Sequence, residues 1–235
     1  MERIAKFIAR SGVCSRRDAE KLIEQKRVTV NGETILSPAF NVSGEEKILI
    51  DGEKMPKIEA DRLWLYYKPV GLVTTHKDDQ GRPTVFEKMP VGMPRVISVG
   101  RLDLNSEGLL LLTNSGELSR KLELPSNGWT RRYKVKVHGH LNEKKLKELE
   151  NGCEVEGVKY GSIKVEVETK KTTNTWLIVS LTEGKNREVR KVMKFAGLDV
   201  ARLIRLSYGP FQLGSMKEGE VKEVPQKVLK EQGVI

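Results

Sequence analysis

The sequence predicts an α+β protein: a small N-terminal α/β unit, then a larger domain on a mixed, mainly antiparallel sheet flanked by helices. Three observations carry this. Near the N-terminus Ile4, Phe7 and Ile8 recur at helical spacing. Further on, residues 133–137, 163–167 and 176–181 alternate in the way half-buried strands do. Few helical patterns, at residues 141–150 and 188–195, separate these strands.

Taken in order, residues 2–11 form a first helix that Gly12 ends. Ser15 with Asp18 reads as a capping box opening a second helix, with Ala19, Leu22 and Ile23 on one face. Val28 and Val30 then alternate with polar residues up to Asn31-Gly32, a tight hairpin turn, and a strand at residues 48–50 ends at Asp51-Gly52. This gives a compact unit over residues 1–52. The polar stretch 53–61, EKMPKIEAD, lacks periodicity and reads as a linker to a second domain over residues 62–235. There LWLYY runs into a Lys68-Pro69-Val70-Gly71 turn, residues 96–99 form a strand ending at Gly100, and residues 109–112 are a buried strand.

A chain of 235 residues, 38% of them hydrophobic, has enough apolar material for such a pair of cores. Its net charge of +10 suits a polyanionic partner, because neutralising phosphates releases counterions. Cys14 and Cys153 make no metal, redox or disulfide spacing, which points to a reducing cytoplasm. The amphipathic opening MERIAKFIARSG has no signal-peptide core, and no apolar run approaches the ~18 residues of a membrane span, so no membrane partner is expected.

Lys6, Arg10, Arg16, Arg17 and Lys21 give the two N-terminal helices a basic excess. Arg16 and Arg17 start the second helix, where the helix dipole favours an anion and a guanidinium can fork onto phosphate oxygens. A solvated helix face accounts for the same charges. The stretch RIAKFIARSGVCSRRDAEKLIEQKRVTVNG resembles the alpha-L RNA-binding domain, shared by a ribosomal small-subunit protein, tyrosyl-tRNA synthetases and many RNA-modifying enzymes. The resemblance implies an RNA-binding role for those five cations, reading shape and backbone rather than bases.

The segment VGRLDLNSEGLLLLTNSGEL places Arg101, Asp103, Asn105 and Glu107 on a polar loop between two strands, with Gly100 and Gly108 permitting tight geometry at its ends. Asp and Asn are also ordinary turn formers. GRLDLNSEGLLLLTNSGEL resembles the catalytic motif of the pseudouridine synthases, in the RsuA/RluB branch, with Asp103 at the place of the essential aspartate. Three more blocks agree in the same order. YYKPVGLVTTHKDDQGRPTVFEKMP resembles the block before that loop, RRYKVKVHG the block whose active-site tyrosine falls on Tyr133, and LTEGKNREVRKVMKFAGLDVARLIRLSYGPFQL the C-terminal basic motif. The wording of DDQGRPTVFEKMP and GKNREVRKVM is that of the RluB-like subgroup, which implies a large-subunit 23S ribosomal RNA target, with 16S rRNA the alternative.

Pseudouridine formation breaks the N1–C1′ bond, turns the base and rejoins it through C5, so no cofactor or metal is expected. A carboxylate is already ionised at neutral pH and can either attack C1′ or remove a 2′ proton. In a desolvated site it needs a cationic neighbour, and the resemblance implies Arg190 for that ion pair. Arg187, Arg190, Lys191 and Lys194 fall at i, i+3, i+4 and i+7, one face of a helix that either contacts RNA phosphates or is a solvated stripe. The resemblance also implies that Tyr133 stacks on the flipped base with its hydroxyl near the C5 proton, and that Arg101 is a wedge or phosphate clamp. His76, His138 and His140 read as surface or packing residues. Asp78 and Asp79 read as loop residues, so a metal-dependent nuclease lacks its carboxylate cluster. The remaining rival is a non-catalytic rRNA-binding ribosome-assembly factor. The expected partner is rRNA, free or in an assembly intermediate, bound by a monomer.

Overall fold

The computed structural model describes residues 1–169 and 175–235. The N-terminal unit comprises β1 (Glu2–Arg3), α1 (Ile4–Arg10), α2 (Arg16–Glu24), β2 (Val28–Val30), β3 (Glu33–Thr34), β4 (Asn41–Val42), β5 (Ile48–Ile50) and β6 (Glu53–Lys54). Ser15 caps α2: its hydroxyl accepts from the Asp18 N–H at 3.1 Å and donates to the Asp18 carboxylate at 2.6 Å. Such a cap is worth about 1 kcal/mol. Ile4, Ile8, Ala19 and Ile23 from the helices bury against Val28, Val30 and Ile48 of the sheet. Asn31 and Gly32, both at positive φ (50° and 91°), close the β2–β3 hairpin.

Two expectations change here. The first helix begins at Ile4, because Glu2 and Arg3 pair with Val42 and Asn41 as β1 against β4. The polar stretch after Gly52 begins as strand, since Asp51 and Gly52 repeat the positive-φ device and fold Glu53 and Lys54 back onto Ile50 and Leu49. Polar residues suit that exposed edge, so composition alone did not mark it.

The second domain contains β7 (Leu63–Lys68), β8 (Ile97–Val99), β9 (Glu107–Thr113), α3 (Gly116–Glu123), β10 (Arg131–His138), α4 (Glu143–Glu148), β11 (Cys153–Val155), β12 (Val158–Tyr160), β13 (Ile163–Thr169), β14 (Thr175–Leu181), α5 (Glu188–Phe195), β15 (Asp199–Tyr208), β16 (Phe211–Gln212), β17 (Val221–Glu223) and α6 (Gln226–Glu231). Its main sheet runs β13-β14-β10-β15-β9-β7-β17, with β8 on β9 and β16 on β15. The β9–β15 pair is parallel and the other pairs are antiparallel, which is the mixed, mainly antiparallel sheet expected. The alternation in β10 buries Tyr133, Val135 and Val137 in a core shared with Val189, Val192 and Met193 of α5. Four consecutive leucines in β9 are buried because both faces are covered. Leu109 and Leu111 pack with Leu118 and Leu122 of α3 and Leu229 of α6, while Leu110 and Leu112 pack with Trp64, Tyr66 and Val85. Each such leucine contributes on the order of 2 kcal/mol. Among the described residues no helix is long and apolar enough to cross a membrane.

Candidate active site

Residues 100–106 connect β8 to β9, which are antiparallel neighbours with Val99 opposite Leu111. Gly100 (φ 66°) starts the loop, and a turn closes it where the Ser106 N–H donates to the Asp103 carbonyl at 3.0 Å. The chain after β7 fixes the loop from outside. The Thr74 hydroxyl donates to the Leu102 carbonyl at 2.8 Å, and the Gly71 N–H to the Leu104 carbonyl at 2.9 Å. From below, the fully buried Lys68 ammonium donates to the carbonyls of Ser106 (2.8 Å), Pro69 (3.0 Å) and Asp103 (3.1 Å).

Burial lowers the Lys68 ammonium from 10.5 to about 8, with Asp103 and Glu107 opposing the fall. A base lowered on folding binds fewer protons folded than unfolded between those values. Its penalty is therefore fully present below pH 8 and is relieved as pH rises towards 10.5. Relative to Lys68→Met, wild-type stability is expected to gain about 1.4 kcal/mol per pH unit over that window. Denaturant titrations of both proteins at pH 7, 8.5 and 10 check this, and parallel pH dependences would contradict it.

The Asp103 side chain is about one-third exposed, 31%. Its Oδ2 lies 3.4 Å from Nη1 of Arg187, the residue immediately before α5. Arg190 makes no direct contact with Asp103, although the Asp103 charge still favours its guanidinium. Its guanidinium donates to the carbonyls of Asn105 (2.8 Å) and Val200 (3.2 Å), tying α5 to the same loop through backbone. The exchange has a local cause: Arg187 adopts left-handed backbone (φ 52°, ψ 30°), so it caps the helix and leaves the face that Arg190, Lys191 and Lys194 were expected to share with it. Lys191 is half-buried and Lys194 exposed, further along α5.

Asp103, Arg187, the exposed Arg101 and the largely buried Tyr133 of β10 line one cleft of about 1050 Å³. The cleft is also lined by the loop carrying Thr74, Asp78 and Arg82, where Asp78 accepts from the Arg82 backbone (2.8 Å) and guanidinium (2.7 Å). Arg82 pulls the Asp78 carboxyl down to about 2, which fits a charged loop staple. His76 stacks on Phe86 at 3.6 Å between ring centres.

Three buried cations, Lys68, Arg131 and Arg205, join the functional candidates without any signal in the local sequence pattern. Lys68 was hidden in a Lys-Pro-Val-Gly turn. Arg131 is buried and donates to the Thr182 carbonyl (2.5 Å) and the Tyr208 hydroxyl (2.9 Å). Arg205 is buried on β15 and donates to the Leu109 carbonyl at 2.7 Å. Glu107, expected on the loop, is the first residue of β9, buried and paired with Arg202 at 2.5 Å. In the N-terminal unit the cations are partly engaged. Arg10 pairs with Glu2 at 2.5 Å, Lys6 with Glu2 at 3.7 Å and with Glu117 of α3, Arg16 with Glu20 at 3.4 Å and Lys21 with Asp18 at 3.9 Å. Arg17 is exposed.

Residues 62–195, which hold the loop, Tyr133 and both arginines, match the model of the RNA pseudouridylate synthase family. The chain belongs to this family. Residues 2–48 match the S4 domain, so the synthase carries an N-terminal RNA-binding module. An uncharacterized RNA pseudouridine synthase of Rickettsia typhi is 49% identical over 230 residues, 98% of this chain and 94% of that protein. The ribosomal large subunit pseudouridine synthase B of Yersinia pestis is 39% identical, covering 90% of this chain and 69% of the relative, and that of Salmonella typhi 41%, covering 90% and 75%. A crystal structure of a pseudouridylate synthase superposes over 100% of both chains with a TM-score of 0.69 and 26% identity. This pseudouridine synthase is accordingly an enzyme of the RsuA/RluB type.

Proposed function

We propose that this synthase isomerises one specific uridine of 23S rRNA in the cytoplasm, as a monomer acting on free rRNA or an assembly intermediate. The observation that carries the site is the carboxylate of Asp103 on a pinned loop, beside Arg187 and in one cleft with Tyr133. The large-subunit assignment rests on the relatives of Yersinia pestis and Salmonella typhi.

The flipped uridine enters the cleft with its base against the ring of Tyr133 and C1′ at Asp103. The base covers the one-third of Asp103 still open to water, which strengthens its interaction with Arg187 as the local dielectric falls. Asp103 drives scission of N1–C1′, either by bonding to C1′ or by taking the 2′ proton. The base turns, and C5 bonds to C1′ as the Asp103–C1′ bond breaks or the proton returns to C2′. The C5 proton is lost beside the Tyr133 hydroxyl while N1 takes up a proton from solvent, so the product is an isomer and Asp103 is regenerated. Arg190 serves the carboxylate indirectly, by holding the Asn105 carbonyl two residues on. Arg101 lies beside the reacting nucleotide. Phosphates of the flanking RNA meet Arg16, Arg17 and Lys21 on α2 and Lys191 and Lys194 on α5. Arg10 joins them once freed from Glu2, and Lys6 once freed from Glu2 and Glu117. The S4 body ends with β6, and residues 55–61 are the link to the catalytic domain.

Pseudouridine mapping of rRNA from cells with and without the gene tests the target. One 23S site is expected to revert fully to uridine on deletion and to return with the wild-type gene. Loss of a 16S site, or of none, would overturn the assignment.

A further inference from the structure

We infer that Glu188 is a positioning residue for catalysis: its carboxylate shapes the turn that carries Arg187 to Asp103. The inference rests on the reading of Asp103 as the catalytic carboxylate.

Glu188 is only 4% exposed although it is a charged residue at the start of a helix, and it lines the cleft. One carboxylate oxygen accepts the Lys185 N–H at 2.8 Å, and the Glu188 N–H returns a bond to the Lys185 carbonyl at 3.1 Å. These reciprocal bonds close residues 185–188 into a tight turn. Within it Arg187 takes left-handed backbone, a conformation that L-residues with side chains disfavour. The other described non-glycine residues at positive φ, Lys26, Asn31, Asp51 and Glu156, do not line the cleft. The distorted residue in the cleft is thus the one whose guanidinium meets Asp103, as expected when a strained conformation serves a site. A right-handed Arg187 would extend α5 by one residue and send its side chain along the helix surface.

The second oxygen of Glu188 is buried without a hydrogen-bond partner. Burial pushes the carboxyl up, with the Lys185 N–H the largest opposing influence and Arg131 a smaller one. A half-satisfied buried carboxylate is a poor stabiliser: an apolar side chain of similar volume gives up one hydrogen bond from the Lys185 N–H but also removes the cost of burying the charge, a net change of about 1 kcal/mol. Stability therefore does not account for the residue, whereas geometry at Arg187 does.

The test compares Glu188→Met, which keeps volume and loses the acceptor, with Glu188→Gln, which keeps an acceptor oxygen. Both are measured for single-site rRNA isomerisation alongside Arg187→Met, the double variant Glu188→Met/Arg187→Met, and Asp103→Asn. E188M is expected to keep its melting temperature within a few degrees of wild type and its KM within about twofold. Its kcat should fall at least tenfold, and E188Q should recover at least a third of the wild-type kcat. In the R187M background, E188M should cause no further loss, since the two residues act through one contact. If E188M fails to fold, Glu188→Asp takes its place, because the shorter side chain withdraws the oxygen from Lys185, and the same losses and coupling are expected. A kcat within twofold of wild type for E188M, equal losses in E188M and E188Q, or losses that multiply with R187M would each overturn the inference. An active D103N would instead bring down the reading of Asp103 on which it rests.

Discussion

Asp103→Asn is expected to abolish isomerisation, by at least about 1,000-fold in kcat, while rRNA binding stays within about threefold. A loss of that size is about 4 kcal/mol of transition-state stabilisation. It is large because the amide matches the carboxylate in shape but offers neither a nucleophile nor a base at neutral pH. Folding should scarcely notice the change. The Asp103 side chain is 31% exposed and its contact with Arg187 is 3.4 Å long, and a half-exposed ion pair of that kind contributes roughly 0–1 kcal/mol. The loop is held instead through its backbone, by Lys68, Thr74 and Gly71 and by Arg190 at Asn105. Removing the side-chain charge leaves those bonds in place, so the variant is a clean separation of chemistry from binding. Quantifying pseudouridine in an rRNA transcript under single-turnover conditions, with filter binding on the same RNA, makes the measurement. Activity within tenfold of wild type would refute the role of Asp103.

The parts of this site that could be read from the sequence are those in which local pattern and tertiary environment agree. Strand β10 alternates because one face meets α5 and the other is more open, so Tyr133 falls on the buried side as its position in the alternation requires. Ser15 and Asn31-Gly32 act through bonds within a few residues, and the structure uses them as caps and turns are used elsewhere. In the sequence, strand β15 stands out only as part of a basic motif. It is the longest strand among the described residues, ten residues, but its inward positions include Arg205, which donates to the Leu109 carbonyl of a strand distant in sequence. Lys68 gives no local signal for the same reason, since its three acceptors come from Pro69 and from residues 35 and 38 positions away. The exchange of Arg190 for Arg187 has another origin. Helical spacing is a sound guide inside α5, but a single left-handed residue at its start redirects one side chain, and spacing carries no sign of that.

Gly108→Ala is expected to be the most destabilising single substitution among the site-forming glycines, by more than about 3 kcal/mol. Gly108 stands opposite Arg205 where β9 and β15 run parallel, at φ +99°. A Cβ there would lie 2.4 Å from the Arg205 carbonyl oxygen and 2.7 Å from its nitrogen. Both atoms are backbone in the middle of a sheet and cannot rotate away, so the strands must separate or the peptide must turn. Steric overpacking of this kind costs about 1–3 kcal/mol, and a disfavoured φ adds a similar amount. Gly100, at the other end of the loop, is the control: it also has positive φ, +66°, but nothing lies within 4 Å of its would-be Cβ. Gly100→Ala should therefore cost only about 1 kcal/mol, the conformational part alone. Chemical denaturation of the two alanine variants measures the difference directly. Activity should follow stability at Gly108 for a geometric reason. Parting β9 from β15 moves Glu107 and the pinned turn at Asp103 away from the strand that bears Arg202, the partner of Glu107. G108A is then expected to lose isomerisation even at temperatures where it remains folded. Equal denaturation midpoints for the two variants would show that the parallel pair yields easily at this point, and that the Asp103 loop does not depend on it for its position.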